Sequence, residues 1–133
     1  MILVVDDDER IVRLLRTLLE AEGYTVKTAA DGGEAYALLR SPDCRCMLLD
    51  INMPRINGIQ LLMLMQADRI KVPTIVMAGF TDFDEKEMKQ FANVVKFFPK
   101  PFSLDDMLTA IKKYGLPRKK KRKTPATKSK SRK

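Results

Sequence analysis

The chain has 133 residues, enough for one ordinary domain around a single apolar core and too few for two. Its apolar share of 45% is normal for a globular protein; no apolar run reaches the roughly 18 residues that a membrane span needs, and Asp6, Asp7 and Asp8 interrupt the apolar start too soon for a secretory leader, so a cytoplasmic protein is expected. The net charge of +8 suggests a nucleic-acid binder until it is located: residues 1–116 carry 15 Lys/Arg and all 17 Asp/Glu, a net −2, whereas residues 117–133 carry 10 Lys/Arg and no acid.

Along the first 116 residues, short apolar runs alternate five times with amphipathic helical patterns, which reads as α/β. The first run, Ile2 to Val5, is wholly apolar, as in a strand covered on both faces. Ile11, Leu14, Leu15, Leu18 and Leu19 then follow the i, i+3, i+4 spacing of a helix with one apolar stripe, and Gly23 can end it in the left-handed conformation. Tyr24 to Ala29 alternates polar and apolar, which suits a sheet edge. Asp31 with Glu34 has the spacing of a capping box opening the second helix. Cys44 and Cys46 precede the apolar strand Met47 to Leu49; with no histidine in the chain they cannot complete a four-ligand zinc site and are read as structural thiols. Asn57-Gly58 is a turn before the third helix, Ile59 to Ala67. Ile75 to Ala78 is the fourth strand, Asp82 with Glu85 opens the fourth helix, and Val94 to Phe98, interrupted by Lys96, is a fifth strand fit for the opposite edge. Ser103 with Asp106 caps the last helix, whose buried stripe is Leu104, Met107, Leu108 and Ile111.

Five such units, joined by right-handed crossovers, predict a single doubly wound, flavodoxin-like parallel sheet in the order 2-1-3-4-5. In that order the topology switches between strands one and three, and ligands bind at the carboxyl ends of the strands flanking a switch point. Asp6 and Asp7 follow strand one, Asp50 follows strand three and Lys100 follows strand five. The mutual repulsion of such carboxylates is relieved most simply by a hard divalent cation, and Mg²⁺ suits oxygen ligands while leaving positions open for a phosphoryl oxygen. Asp50 is the natural nucleophile for an acyl phosphate, with Lys100 neutralising a phosphoryl oxygen. Taken singly, each residue has a plainer reading: Asp8, or Asp7, can cap the first helix, and Lys100 can be a surface lysine. The coincidence of all of them at the ends of the right strands favours a site.

These residues carry a resemblance. ILVVDDD (Ile2 to Asp8), LLDINMPRING (Leu48 to Gly58), VPTIVM (Val72 to Met77) and FFPKPF (Phe97 to Phe102) together resemble the receiver domain of two-component response regulators across Met1 to about Leu116. The resemblance implies that Asp50 accepts phosphate from a sensor histidine kinase or a phosphotransfer protein. It implies that Asp7 and Asp50 bind Mg²⁺ by their side chains and Asn52 by its carbonyl, with Asp6 assisting. It further implies that Lys100 pairs with the phosphoryl group and that the Lys100-Pro101 bond is cis. Met53, Pro54 and Gly58 shape the loop after the acceptor. The protein is then expected to act as a monomer, to catalyse only its own phosphorylation and dephosphorylation, and to bind a downstream protein through helix four, strand five and helix five. The switch positions are Ala78, where the family has Thr or Ser, and Phe97, where a Tyr phenol is absent; Thr81 is a candidate substitute hydroxyl, and Phe80 a candidate influence on hydrolysis. Loss of the hydroxyl at Ala78 keeps open a receiver that is no longer phosphorylated. A phosphohydrolase is disfavoured, because the position two after the nucleophile is Asn52 rather than an acid.

Residues 117–133 contain no large apolar side chain and are read as a disordered basic tail. Arg118, Lys119, Lys120, Lys121, Arg122 and Lys123 form an unbroken basic run. It is either a solvated extension, a phosphate-directed contact to nucleic acid that makes the chain a nucleic-acid-associated regulator, or an attachment to an anionic membrane. With no aromatic in the tail, base stacking is not part of its repertoire.

Overall fold

The computed structural model describes residues 1–53, 57–79 and 85–114. Its five strands are β1 (Ile2–Val5), β2 (Val26–Ala29), β3 (Cys46–Asp50), β4 (Thr74–Ala78) and β5 (Val94–Pro99). The helices are α1 (Glu9–Ala21), α2 (Gly32–Leu39), α3 (Gly58–Ala67), α4 (Glu85–Met88) and α5 (Leu104–Tyr114). All neighbouring strands pair in parallel, in the order β2-β1-β3-β4-β5, with the two partly polar strands at the edges as expected.

β1, β3 and β4 are buried along their whole length, because alternate residues feed two different cores. Leu3, Val5, Met47, Leu49 and Val76 face one cluster with Ala35, Leu39, Leu61 and Met65 from α2 and α3. Ile2, Val4, Leu48, Ile75 and Met77 face the other with Leu15, Leu19, Met107 and Ile111 from α1 and α5. β5 departs from a simple alternation. Thr74 pairs with Val94 and Ile75 with Lys96, leaving Val95 as an extra residue in a bulge. Phe97 consequently packs on the first core and Phe98 on the second, while Lys96 is exposed.

The helix ends are set by local chemistry. α1 stops in a Schellman motif: the Tyr24 amide donates to the Leu19 carbonyl and the Gly23 amide to the Glu20 carbonyl, with Gly23 at φ 93°. α3 ends the same way, with Ile70 donating to Met65 and Arg69 to Gln66, but a non-glycine residue, Arg69, holds the left-handed position at φ 58°.

Several sequence expectations are corrected. Leu14 is 48% exposed, since it lies on the outer flank of the stripe centred on Leu15 and Leu19, and Val12 is half-buried in its place. The Asp31–Glu34 pair is a displaced box: Asp31 accepts from the Glu34 amide, but Glu34 reaches back to the Ala30 amide. A full reciprocal capping box stands instead at Asn57 and Gln60, where a turn was expected. At α5 only the Ser103 half is present, accepting from the Asp106 amide. Asp82, expected to open α4, lies outside the described residues.

Candidate functional site

Strand ends converge on one pocket. Asp6, immediately after β1, is tied down by donating its amide to Ala29, and its own carboxylate accepts from the Asp8 amide at 2.9 Å. Asp8 in turn caps α1, accepting from the Arg10 amide at 2.9 Å. That amide and the Arg10 guanidinium hold the Asp8 carboxyl below its ordinary value. With Asp8 engaged as the cap, Asp7 is left exposed beside the pocket.

Asp50 closes β3 and is buried, its carboxylate accepting from the Asn52 amide at 3.1 Å. The loop behind it is held by α3: Gly58 donates to the Ile51 carbonyl, and a methyl group at Gly58 would stand 2.7 Å from Ile51 Cα and 3.0 Å from the Asp50 carbonyl. Only glycine allows that approach. Met53 is buried in the first core, and Pro54 lies outside the described residues.

One carboxylate oxygen from each of Asp6, Asp7 and Asp50 lies within 4.8 Å of the other two. Lys100 Nζ sits 3.4 Å from Asp6 Oδ2 and 3.6 Å from Asp50 Oδ1. Lys100 is aimed by its backbone, whose amide donates to the Ala78 carbonyl at 2.7 Å, and the Lys100-Pro101 bond is cis. Burial, reinforced by the negative charge of Asp6, pushes the Asp50 carboxyl up to about 6 against the pull of Lys100 and the Asn52 amide. Three acids answered by one ammonium leave unbalanced negative charge, and hard oxygen donors with a half-open approach fit a divalent cation such as Mg²⁺. That approach is a cleft of about 370 Å³ between α1 and the end of β2, lined by Asp6, Asp7, Glu9, Arg13 and Glu34 among others.

The remaining sequence candidates are distributed as follows. Asn52 is exposed directly after the acceptor turn. Ala78 is fully buried, so strand four presents a methyl group where a hydroxyl would otherwise stand. Phe97 is half-buried against the first core. Phe80, Thr81 and the basic run Arg118 to Lys123 lie outside the described residues. Cys44 and Cys46 are buried free thiols pushed up to about 11 and about 12 by burial, far from reactive values. Gly58's close approach to the acceptor strand went unread in the sequence, where Asn-Gly signals a turn; the N-x-x-Q spacing of Asn57 and Gln60 was the available clue.

Residues 2–112 match the response regulator receiver domain family. The response regulator MprA of Mycobacterium ulcerans is 32% identical over 111 residues, covering 84% of this chain and 48% of that protein. The response regulator SaeR of Staphylococcus aureus is 34% identical over 120 residues, covering 85% and 52%. The chain thus spans about half the length of these relatives. Among solved structures, the receiver domain of Francisella response regulator 1452 superposes with a TM-score of 0.76 at 28% identity, covering 85% of this chain and 93% of that one. The response regulator TrrA of Thermotoga maritima, solved in complex with Mg²⁺-BeF, gives 0.74 at 28% identity, covering 85% and 96%.

Proposed function

This chain belongs to the response regulator receiver domain family, and from that premise we propose that it is a phosphorylation switch whose acceptor is Asp50, loaded from the phosphohistidine of a sensor kinase or phosphotransfer protein. The observation that carries the reading is a lysine ammonium within 3.6 Å of two buried carboxylates at the switch point of the sheet.

An Asp50 carboxylate oxygen attacks phosphorus in line; the new O–P bond forms as the N–P bond of the donor imidazole breaks, and the electron pair leaves with the imidazole nitrogen, which takes up a proton from water. Lys100 meets one phosphoryl oxygen and holds Asp50 in its ionised, attacking form. Asp6 and Asp7, with Asp50 and the Asn52 carbonyl, would hold Mg²⁺. Bound there, the ion supplies compensation for the acids and for a second phosphoryl oxygen. Hydrolysis of the acyl phosphate by water resets the chain, and output passes to a downstream protein on the α4-β5-α5 face, where Phe97 packs half-buried at the boundary with the core.

A second reading, a receiver that no longer signals through phosphate, rests on the buried methyl group of Ala78. Intact-mass measurement after treatment with a small phosphodonor separates the two. Wild-type chain with Mg²⁺ gains one phosphoryl unit, while Asp50→Asn, or wild type without Mg²⁺, gains none. An unmodified wild type with Mg²⁺ overturns the proposal in favour of the second reading.

A further inference from the structure

We propose that residues 117–133 bind duplex nucleic acid through its phosphates, from the edge of the domain opposite the acidic pocket. The segment holds ten Lys/Arg and no acid. Between and beyond the basic residues stand Thr124, Thr127, Ser129 and Ser131, whose hydroxyls are phosphate donors of the kind that position proteins on a backbone without reading sequence.

The fold gives that charge a place. The acids of the pocket stand at the carboxyl ends of β1 and β3, and α5 begins at the same edge, just after β5. Running back over the sheet for eleven residues, about 16 Å of helix axis, α5 ends at the amino edge of the strands. Its last turn carries Lys112 and Lys113, and Lys112 is pinned to Glu22, beyond the end of α1, at 3.3 Å. Tyr114 packs on the second core beside them. The basic segment follows directly, so a polyanion reaching it is kept a domain's height from Asp6, Asp7 and Asp50, well over the roughly 8–10 Å across which exposed charges act at physiological salt.

A duplex is favoured over a lipid surface. It concentrates one negative charge per roughly 1.7 Å of axis. Firm membrane attachment, by contrast, takes a second, apolar signal beside the basic cluster, and Pro, Ala and the hydroxyl residues of 117–133 supply none.

The test is fluorescence anisotropy of the full 133-residue chain with a labelled mixed-sequence DNA duplex. Between about 50 and 200 mM NaCl, affinity should fall about a thousandfold, a log-log slope of about −5 or steeper, and scrambling the duplex sequence should leave affinity within about twofold. Replacing Arg118, Lys119, Lys120, Lys121, Arg122 and Lys123 together by Gln should flatten the slope by about 5 while the thermal midpoint stays put. A slope shallower than about −2, or binding indifferent to the six substitutions, overturns the proposal. So does retention on phosphatidylserine vesicles exceeding that on DNA at equal salt and equal anionic charge. Phosphorylation plays no part in this experiment, so either outcome leaves the Asp50 reading where it stands.

Discussion

Asp50 is the residue at which stability and chemistry oppose each other. Its carboxyl titrates at about 6 in the folded chain against 3.8 when exposed, so between those values the folded state binds the extra proton. Stability from this group is therefore fully present below pH 3.8 and is lost as pH rises through about 6. The span corresponds to something on the order of 2–3 kcal/mol. In metal-free buffer, Asp50→Asn should raise the denaturation midpoint at pH 7.5 and do little at pH 4, as urea melts at the two pH values will read. Equal effects at both would remove electrostatic strain as the cause. The sequence made Asp50 and Lys100 legible because each ends a strand, and chain order alone brings strand ends to one edge. It did not decide between Asp7 and Asp8 as the cap, because both precede α1; the hydrogen bond from Arg10 decides it.

At the scale of elements, two positions carry unusual backbone demands. Gly58 opens α3 against the backbone of Asp50 and Ile51, where any Cβ must displace main chain rather than a pliable side chain. Gly58→Ala should cost about 1–3 kcal/mol in chemical denaturation and slow phosphodonor labelling, since the displaced strand end carries the acceptor. Arg69 occupies the left-handed position that Gly23 fills at the end of α1. Relief of side-chain strain there should make Arg69→Gly about 0.5–1 kcal/mol more stable, seen as a higher thermal midpoint; a lower midpoint would mean that the arginine side chain contributes more than its backbone loses. Here the limits of reading a sequence are physical. A periodic pattern announces a helix such as α1, yet it tolerates a misplaced flank residue such as Leu14, and Arg69 bears no mark of its conformation because the tertiary position of Ile70 imposes it.

For the whole molecule, the acidic pocket couples cation binding to folding. A ligand held only by the folded state stabilises it by about 2.7 kcal/mol at a hundred times its dissociation constant. Mg²⁺ should therefore raise the thermal midpoint more at pH 7 than at pH 5, where Asp50 already keeps its proton. Asp7→Asn, an exposed change, should shift the metal-free midpoint by no more than about 0.5 kcal/mol in stability and yet remove most of the response to Mg²⁺. An undiminished response would take Asp7 out of the cation site. The five-strand order was readable from the alternation of patterns, but the extra residue at Val95 was not, because a bulge preserves composition and alters only phase. That small offset has a large reach. Excising one residue there would exchange the sides taken by Phe97 and Phe98 and draw the following chain back by one step, so that Pro99, which has no ammonium to offer, would occupy the seat now held by Lys100. A single surplus peptide unit thus keeps the aromatic side of the strand and its charged tip in time with each other.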